Sequence, residues 1–148
     1  MWAMSEFLPS RVLSREDVVG RRIRAVYSEY ERNEDSELDC VSIYFILDNG
    51  ICFTMPFVGC PWESTQLPAA ARAIENLDIL GACLVGVFIE RLEPTEPAWD
   101  LESAKLRIED GRWVWVMPAS PFGTGGAGLY VDAASRYILA EQFEFWES

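Results

Sequence analysis

Carboxylates dominate the side chains in this sequence that could do chemistry, and they gather in two runs. Glu29, Glu31, Glu34, Asp35, Glu37 and Asp39 stand against Arg32, and Glu90, Glu93, Glu96, Asp100 and Glu102 stand against Arg91. Paired carboxylates can share acid and base work without histidine, and Asp39 and Asp100, which hold matching places in the two runs, are the first pair to consider. Aspartate at the start of a strand also bonds nearby backbone amides, and that cap or turn role is the preferred reading of both. The first run lacks the Asp-x-Asp-x-Asp-Gly spacing and the distal glutamate of a calcium loop. No metal and no cofactor are expected.

The remaining reactive types exclude more than they propose. The chain has no histidine, which removes Ser-His-Asp, Cys-His and His-rich zinc chemistry. Cys40, Cys52, Cys60 and Cys83 form no Cys-x-x-Cys pair. Cys52 and Cys83 sit in apolar stretches where cysteine serves as a small buried hydrophobe, and only Cys60 and Cys83 are open to a reactive reading. Gly123 to Gly128 is glycine-rich, but it lacks the Gly-Lys-Ser/Thr ending and the Gly-x-Gly-x-x-Gly spacing of a phosphate loop. It reads as a connection or bend after Pro118 and Pro121.

Charge narrows the partners. Lys plus Arg number 12 against 24 Asp plus Glu, a net charge of −12 in 148 residues. Phosphate backbones and anionic lipids attract proteins through Lys and Arg, so neither nucleic acid nor membrane is an expected partner. A 50% hydrophobic and 13% aromatic composition argues against disorder and for one folded domain over 1–148. Met1 to Asp17 has no apolar core of signal-peptide length, and the four cysteines need no disulfide in a chain this apolar. A reduced, cytoplasmic protein is expected.

The elements that must position the acidic runs emerge from a constant offset of 61 residues. Ile23 falls on Leu84, Val26 on Val87, Tyr27 on Phe88, Leu38 on Trp99, Asp39 on Asp100, Leu47 on Ile108 and Gly50 on Gly111. Two repeats, over about 20–58 and 81–119, are expected. Each reads as strand, acidic loop, strand, tight turn, strand. Asn49-Gly50 and Asp110-Gly111 predict two-residue type I′ hairpins. In the second, that loop would put Ile108 opposite Trp113 and Leu106 opposite Trp115. Leu106, Ile108, Trp113 and Trp115 would then share the core face, with Lys105 and Arg107 on the other. Apolar residues on both faces of the first hairpin predict cover on both sides.

Leu67, Ala71, Ile74 and Leu77 recur at helical spacing, which predicts a connecting helix over about 65–77. Ser14 to Val19 reads as a short capped turn, and the tail reads as strand from Phe143 onward. The fold class expected is α+β, mainly antiparallel β, with two hairpin-containing repeats in one domain joined by a helix.

With the catalytic kit missing, the expected function is a non-enzymatic acidic protein that binds a basic protein partner, in an immunity-type, neutralising or adaptor role. Matched acidic patches steer cationic partners, and Tyr30 and Trp99 are types suited to anchoring an interface. The partner-binding residues expected are Glu29, Tyr30, Glu31, Glu34, Asp35, Glu37, Asp39, Glu90, Glu93, Glu96, Trp99 and Asp100. Two other classes fit the same residues. One is a small-ligand module or assembly subunit, including a homodimer, using apolar surface; the other is a carboxylate-dependent enzyme.

Overall fold

The computed structural model describes residues 10–56, 60–91, 102–118, 126–132 and 146–147. Among them, a helix α1 (Arg15–Val18) precedes nine strands: β1 (Ile23–Arg32), β2 (Leu38–Leu47), β3 (Cys52–Phe53), β4 (Arg72–Ala73), β5 (Leu84–Arg91), β6 (Glu102–Ile108), β7 (Trp113–Pro118), β8 (Ala127–Asp132) and β9 (Trp146–Glu147). They form two antiparallel sheets, in the orders β3-β2-β1-β4 and β8-β7-β6-β5-β9. The expected mainly antiparallel β content is observed.

The two sheets share one register. Ile23 pairs with Leu47, Val26 with Phe45 and Tyr27 with Tyr44, while 61 positions later Leu84 pairs with Ile108, Val87 with Leu106 and Phe88 with Lys105. Both sheets carry an irregularity at the same place, between Ile23 and Ala25 and between Leu84 and Gly86. Side chains follow the backbone into the core between the sheets. Val18, Ile23, Val26, Ile43, Phe45, Leu47 and Phe53 meet Ile79, Leu84, Val87, Ala104, Leu106, Ile108 and Val114, the same positions displaced by 61. Each large apolar side chain buried there contributes roughly 1.5–3 kcal/mol.

The sheets are joined where β1 and β5 begin. The Ile23 N–H donates to the Ala82 carbonyl (2.9 Å) and the Leu84 N–H to that of Arg21 (2.8 Å). The Gly20 N–H donates to Leu84 (2.8 Å) and the Gly81 N–H to Ile23 (2.7 Å). Arg22 and Cys83 form the bridge at the centre. Exchanging each residue for the one 61 positions away leaves this pattern unchanged, which is the connectivity of a local two-fold axis through the Arg22–Cys83 bridge.

The hairpin turns differ from the two-residue type expected. The Gly50 N–H donates to Leu47 and the Leu47 N–H to Ile51; Gly111 and Ile108 repeat this with Ile108 and Arg112. Positive φ occurs at Gly50 (84°) and Gly111 (93°) but not at Asn49 or Asp110. These are three-residue loops, a type I turn followed by a left-handed glycine. The Asn49 Oδ1 and Asp110 Oδ1 atoms accept from the Ile51 and Arg112 amides (3.1 and 2.9 Å). One extra loop residue moves the second hairpin's register by one, so Leu106 pairs with Val114 and Arg107 with Trp113. A one-residue slip exchanges faces. Val114 therefore joins Leu106 and Ile108 in the core, while Trp113 packs on Phe88 (5.0 Å) and Trp115 on Tyr130 (5.6 Å). Lys105 Nζ lies 3.8 Å from the Trp115 ring centroid, a cation–π contact.

No helix forms over 65–77. The segment instead contributes β4, with Ala73 paired to Tyr27 and Arg72 to Ser28. Leu67 packs with Tyr44, Ile46 and Cys52 on the outer face of the first sheet, whereas Ile74 and Leu77 pack on the main core. The segment wraps a sheet edge and serves both faces, which a helix lying on one face could not do. Both faces of β2 are accordingly covered over residues 43–47, which are all buried. The tail strand is observed over Trp146–Glu147, where Trp146 stacks on Trp62 (5.7 Å); residues 133–145 lie outside the described residues.

A methyl group at Gly50 or Gly111 would meet nothing within 4 Å beyond the adjoining residues, so substitution there tests backbone conformation alone. Gly50→Ala and Gly111→Ala should each lower stability by about 1–2 kcal/mol, read from urea midpoints. The Arg11 guanidinium holds the Asp17 carboxyl well below the usual carboxylate range, donating to both its oxygens (2.8 and 2.7 Å). A depressed folded value adds stability above the unfolded pKa of about 3.9, and that stability is lost as pH falls through the folded value. Asp17→Asn should therefore cost about 1 kcal/mol near neutrality, Arg11 being largely exposed, with the deficit shrinking below about pH 4 in pH-dependent unfolding.

Candidate functional site

Beyond Ser28 and Ile43, β1 and β2 continue as a two-stranded arm. Its end leaves the core: burial ends at Ser28 in β1 and residues 31–38 are all exposed, whereas Cys40, nearer the base, still packs on the core and against Gly126, just before β8. The pairing passes from Glu29–Ser42 to Tyr30–Cys40, so Val41 is an extra residue bulged out of β2. Tyr30, Leu38 and Val41 remain 49%, 59% and 42% exposed. Of these apolar residues, sequence reasoning selected Tyr30. Leu38 and Val41 could have been noticed as apolar residues set in a polar stretch, but their exposure depends on the bulge and on where the core stops.

Asn33 builds the end of the arm. Its Oδ1 accepts from the Asp35 and Glu37 amides (2.9 and 3.0 Å), and its own N–H donates to the Glu37 carbonyl (2.8 Å). Its Nδ2 donates to Asp39 Oδ2 (3.1 Å), and Arg32 closes the turn by donating to the Ser36 carbonyl (2.7 Å). Ser36 takes a left-handed φ of 61°. An asparagine organising two amides in this way is a common local turn. The sequence reading passed over Asn33 because it bears no charge.

The resulting surface is strongly negative. Glu31, Glu34, Asp35 and Glu37 are exposed, and Glu29 and Asp39 are half-buried. Glu31 stands directly opposite Asp39 in the ladder, a like-charge cross-strand arrangement that opposes pairing. Glu29 accepts from the Tyr44 hydroxyl (2.9 Å); burial, and then the neighbouring Glu29 carboxylate, push the Tyr44 phenol up. The ion pairs among the described residues lie elsewhere, at Arg11–Asp17, Arg22–Glu109, Arg112–Asp78 and Arg112–Asp110. None involves a carboxylate of the arm.

The second acidic run is less fully described. Glu90 lies in β5, paired with Ser103, while Glu93, Glu96, Trp99 and Asp100 fall outside the described residues. Asp39 is thus seen without its expected counterpart, held by the Asn33 amide. Among the described residues no group of three or more acidic, cysteine or histidine side chains could hold a metal. Cys52 is buried, which pushes its thiol up to about 11 and keeps it protonated, hence poorly nucleophilic, at neutral pH.

Comparison with protein-family models, with curated proteins and with solved structures finds no match to this chain. No helix among the described residues is long and apolar enough to cross a membrane.

The arrangement can attract cations but is costly to the isolated arm. Glu31→Gln removes one member of the Glu31–Asp39 pair and should stabilise the protein by about 0.5 kcal/mol at low ionic strength. The gain should shrink at high salt, where exposed charges are screened. Urea unfolding at the two salt concentrations measures both effects.

Proposed function

We propose that this chain is a non-enzymatic acidic binding protein that engages a basic protein partner, in a neutralising, immunity-type or adaptor role, through the far end of the β1–β2 arm. The observation that carries the reading is an arm holding Glu31, Glu34, Asp35 and Glu37 in solvent, without a guanidinium bridge among the described residues, beside exposed Tyr30, Leu38 and Val41. Charge of one sign on an exposed strand end raises encounter rates with the opposite sign, and the neighbouring apolar side chains offer area to bury once contact is made.

The shared register of the two sheets supports a further part of the proposal, that the chain comprises two copies of one strand–loop–strand–turn–strand unit. On that reading residues 92–100, with Glu93, Glu96, Trp99 and Asp100, supply the counterpart of the arm's end. Together with Glu29, Asp39 and Glu90, they complete the proposed binding set. A reducing, cytoplasmic setting suits cysteines such as Cys52 and Cys83 acting as apolar side chains.

The decisive experiment is capture from native lysate across a salt series, followed by mass identification and remeasurement with the purified partner. A basic protein should be retained at low salt and released as screening shortens below about 10 Å. The triple variant Glu34→Lys, Asp35→Lys, Glu37→Lys should lose that partner while keeping the parent's unfolding midpoint. Retention by the triple variant, or binding indifferent to salt, would reject the proposal.

A further inference from the structure

The first sheet has an open edge beside the acidic arm. β4 pairs with β1 at Tyr27 and Ser28 and then leaves it, because the chain turns over Pro68–Ala71, where the Ala71 N–H donates to the Pro68 carbonyl (3.0 Å). The Ile74 N–H donates to the Val26 carbonyl (2.8 Å), which fixes the side to which alternate residues of β1 turn their main-chain groups. β1 has no extra residue from Val26 to Arg32, the bulge lying in β2. The N–H and C=O groups of Tyr30 and Arg32 therefore point to the side that β4 has vacated, and no partner meets them among the described residues.

Resting on the reading of the arm as a site for a basic partner, we infer that this edge takes an extended basic segment of that partner as an added β-strand. Main-chain pairing supplies attraction in such strand addition, and alternate side chains supply selectivity. On one face the newcomer meets Glu29 and Glu31, with Asp39 across the ladder; on the other it meets Tyr30 and Arg32, with Leu38 across from Arg32. Side chains alternate between faces, so the segment that fits alternates basic with apolar residues. Arg32 is turned to the Ser36 carbonyl, and Arg72 stands where β4 ends. Six acids against Arg32 between residues 29 and 39 keep this end negative. A second copy of the chain is disfavoured at the same edge, since Glu29 and Glu31 would meet their own like. Open edges invite association, and here the charge that rejects self-pairing selects a cationic occupant.

The probe is an end-blocked peptide alternating valine and lysine, titrated into the isotope-labelled full chain. Two further versions are N-methylated at either the odd or the even positions. The Tyr30 and Arg32 amides should shift and gain exchange protection. One methylated version should bind about tenfold more weakly than the other, because only one set of peptide amides faces the edge. Tyr30→Pro should weaken binding similarly with an unchanged unfolding midpoint, since proline is tolerated where an edge N–H faces solvent. Equal binding of the two methylated versions, or edge amides that do not respond, overturns strand addition and leaves charge attraction as the mode. Undiminished peptide binding by the Glu34, Asp35 and Glu37 charge-reversal variant would instead overturn the acidic-site reading beneath it. A dimer of the peptide-free protein that Tyr30→Pro abolishes would assign the edge to a second copy and overturn the basic occupant.

Discussion

Four main-chain hydrogen bonds around the Arg22–Cys83 bridge hold the two sheets in their mutual register. Each sheet alone would have one apolar face exposed to water, and a sheet half buried in this way must find a second layer. The crossing of residues 20–23 with 81–84 brings that layer into place and carries Ile23 and Leu84 to the centre of the shared core. Backbone amides set this geometry, so it tolerates different side chains at equivalent positions, as Phe45 and Leu106 or Phe53 and Val114 illustrate. Only the end of the arm, residues 31–38, lies beyond the reach of this packing, since Cys40 still meets the core and Gly126, just before β8.

Much of the sheet architecture was legible because burial imposes a period on the sequence. Ile23, Val26, Leu47 and their counterparts 61 residues later are apolar anchors of the core, and both sheets place them in one register. The turns were less legible because Asn-Gly and Asp-Gly serve both a two-residue loop and a type I turn ending in left-handed glycine. Nothing local distinguishes the two, yet the one-residue difference sends Trp113 and Trp115 to the opposite face. The helix expected over 65–77 failed for another reason. Helical spacing assumes that the apolar residues share one surface, whereas Leu67 faces one side of the sheet and Ile74 and Leu77 the other.

At the arm, charge was readable and shape was not. The acidic residues could be named from composition, since carboxylates without nearby cations are expected in solvent. That Val41 is bulged, that Leu38 stays exposed, and that Asn33 ties Asp35, Glu37 and Asp39 together all depend on how the strands pair. The open edge of β1 depends on something more remote still, the departure of β4 at Pro68–Ala71.

The two-fold bridge has a chemical consequence. In an assembly of identical halves, the residue on such an axis must face its own duplicate, and an arginine there would oppose a second guanidinium. A continuous chain is released from that rule. Arg22 looks across at a thiol-bearing neighbour, donates to the Gly81 carbonyl (2.7 Å) and reaches Glu109 (3.4 Å), whose carboxylate also accepts the Cys83 amide (3.2 Å). The main-chain bonds around the bridge read the same from either side, while the side chains on it, Arg22 and Cys83, are chemically distinct.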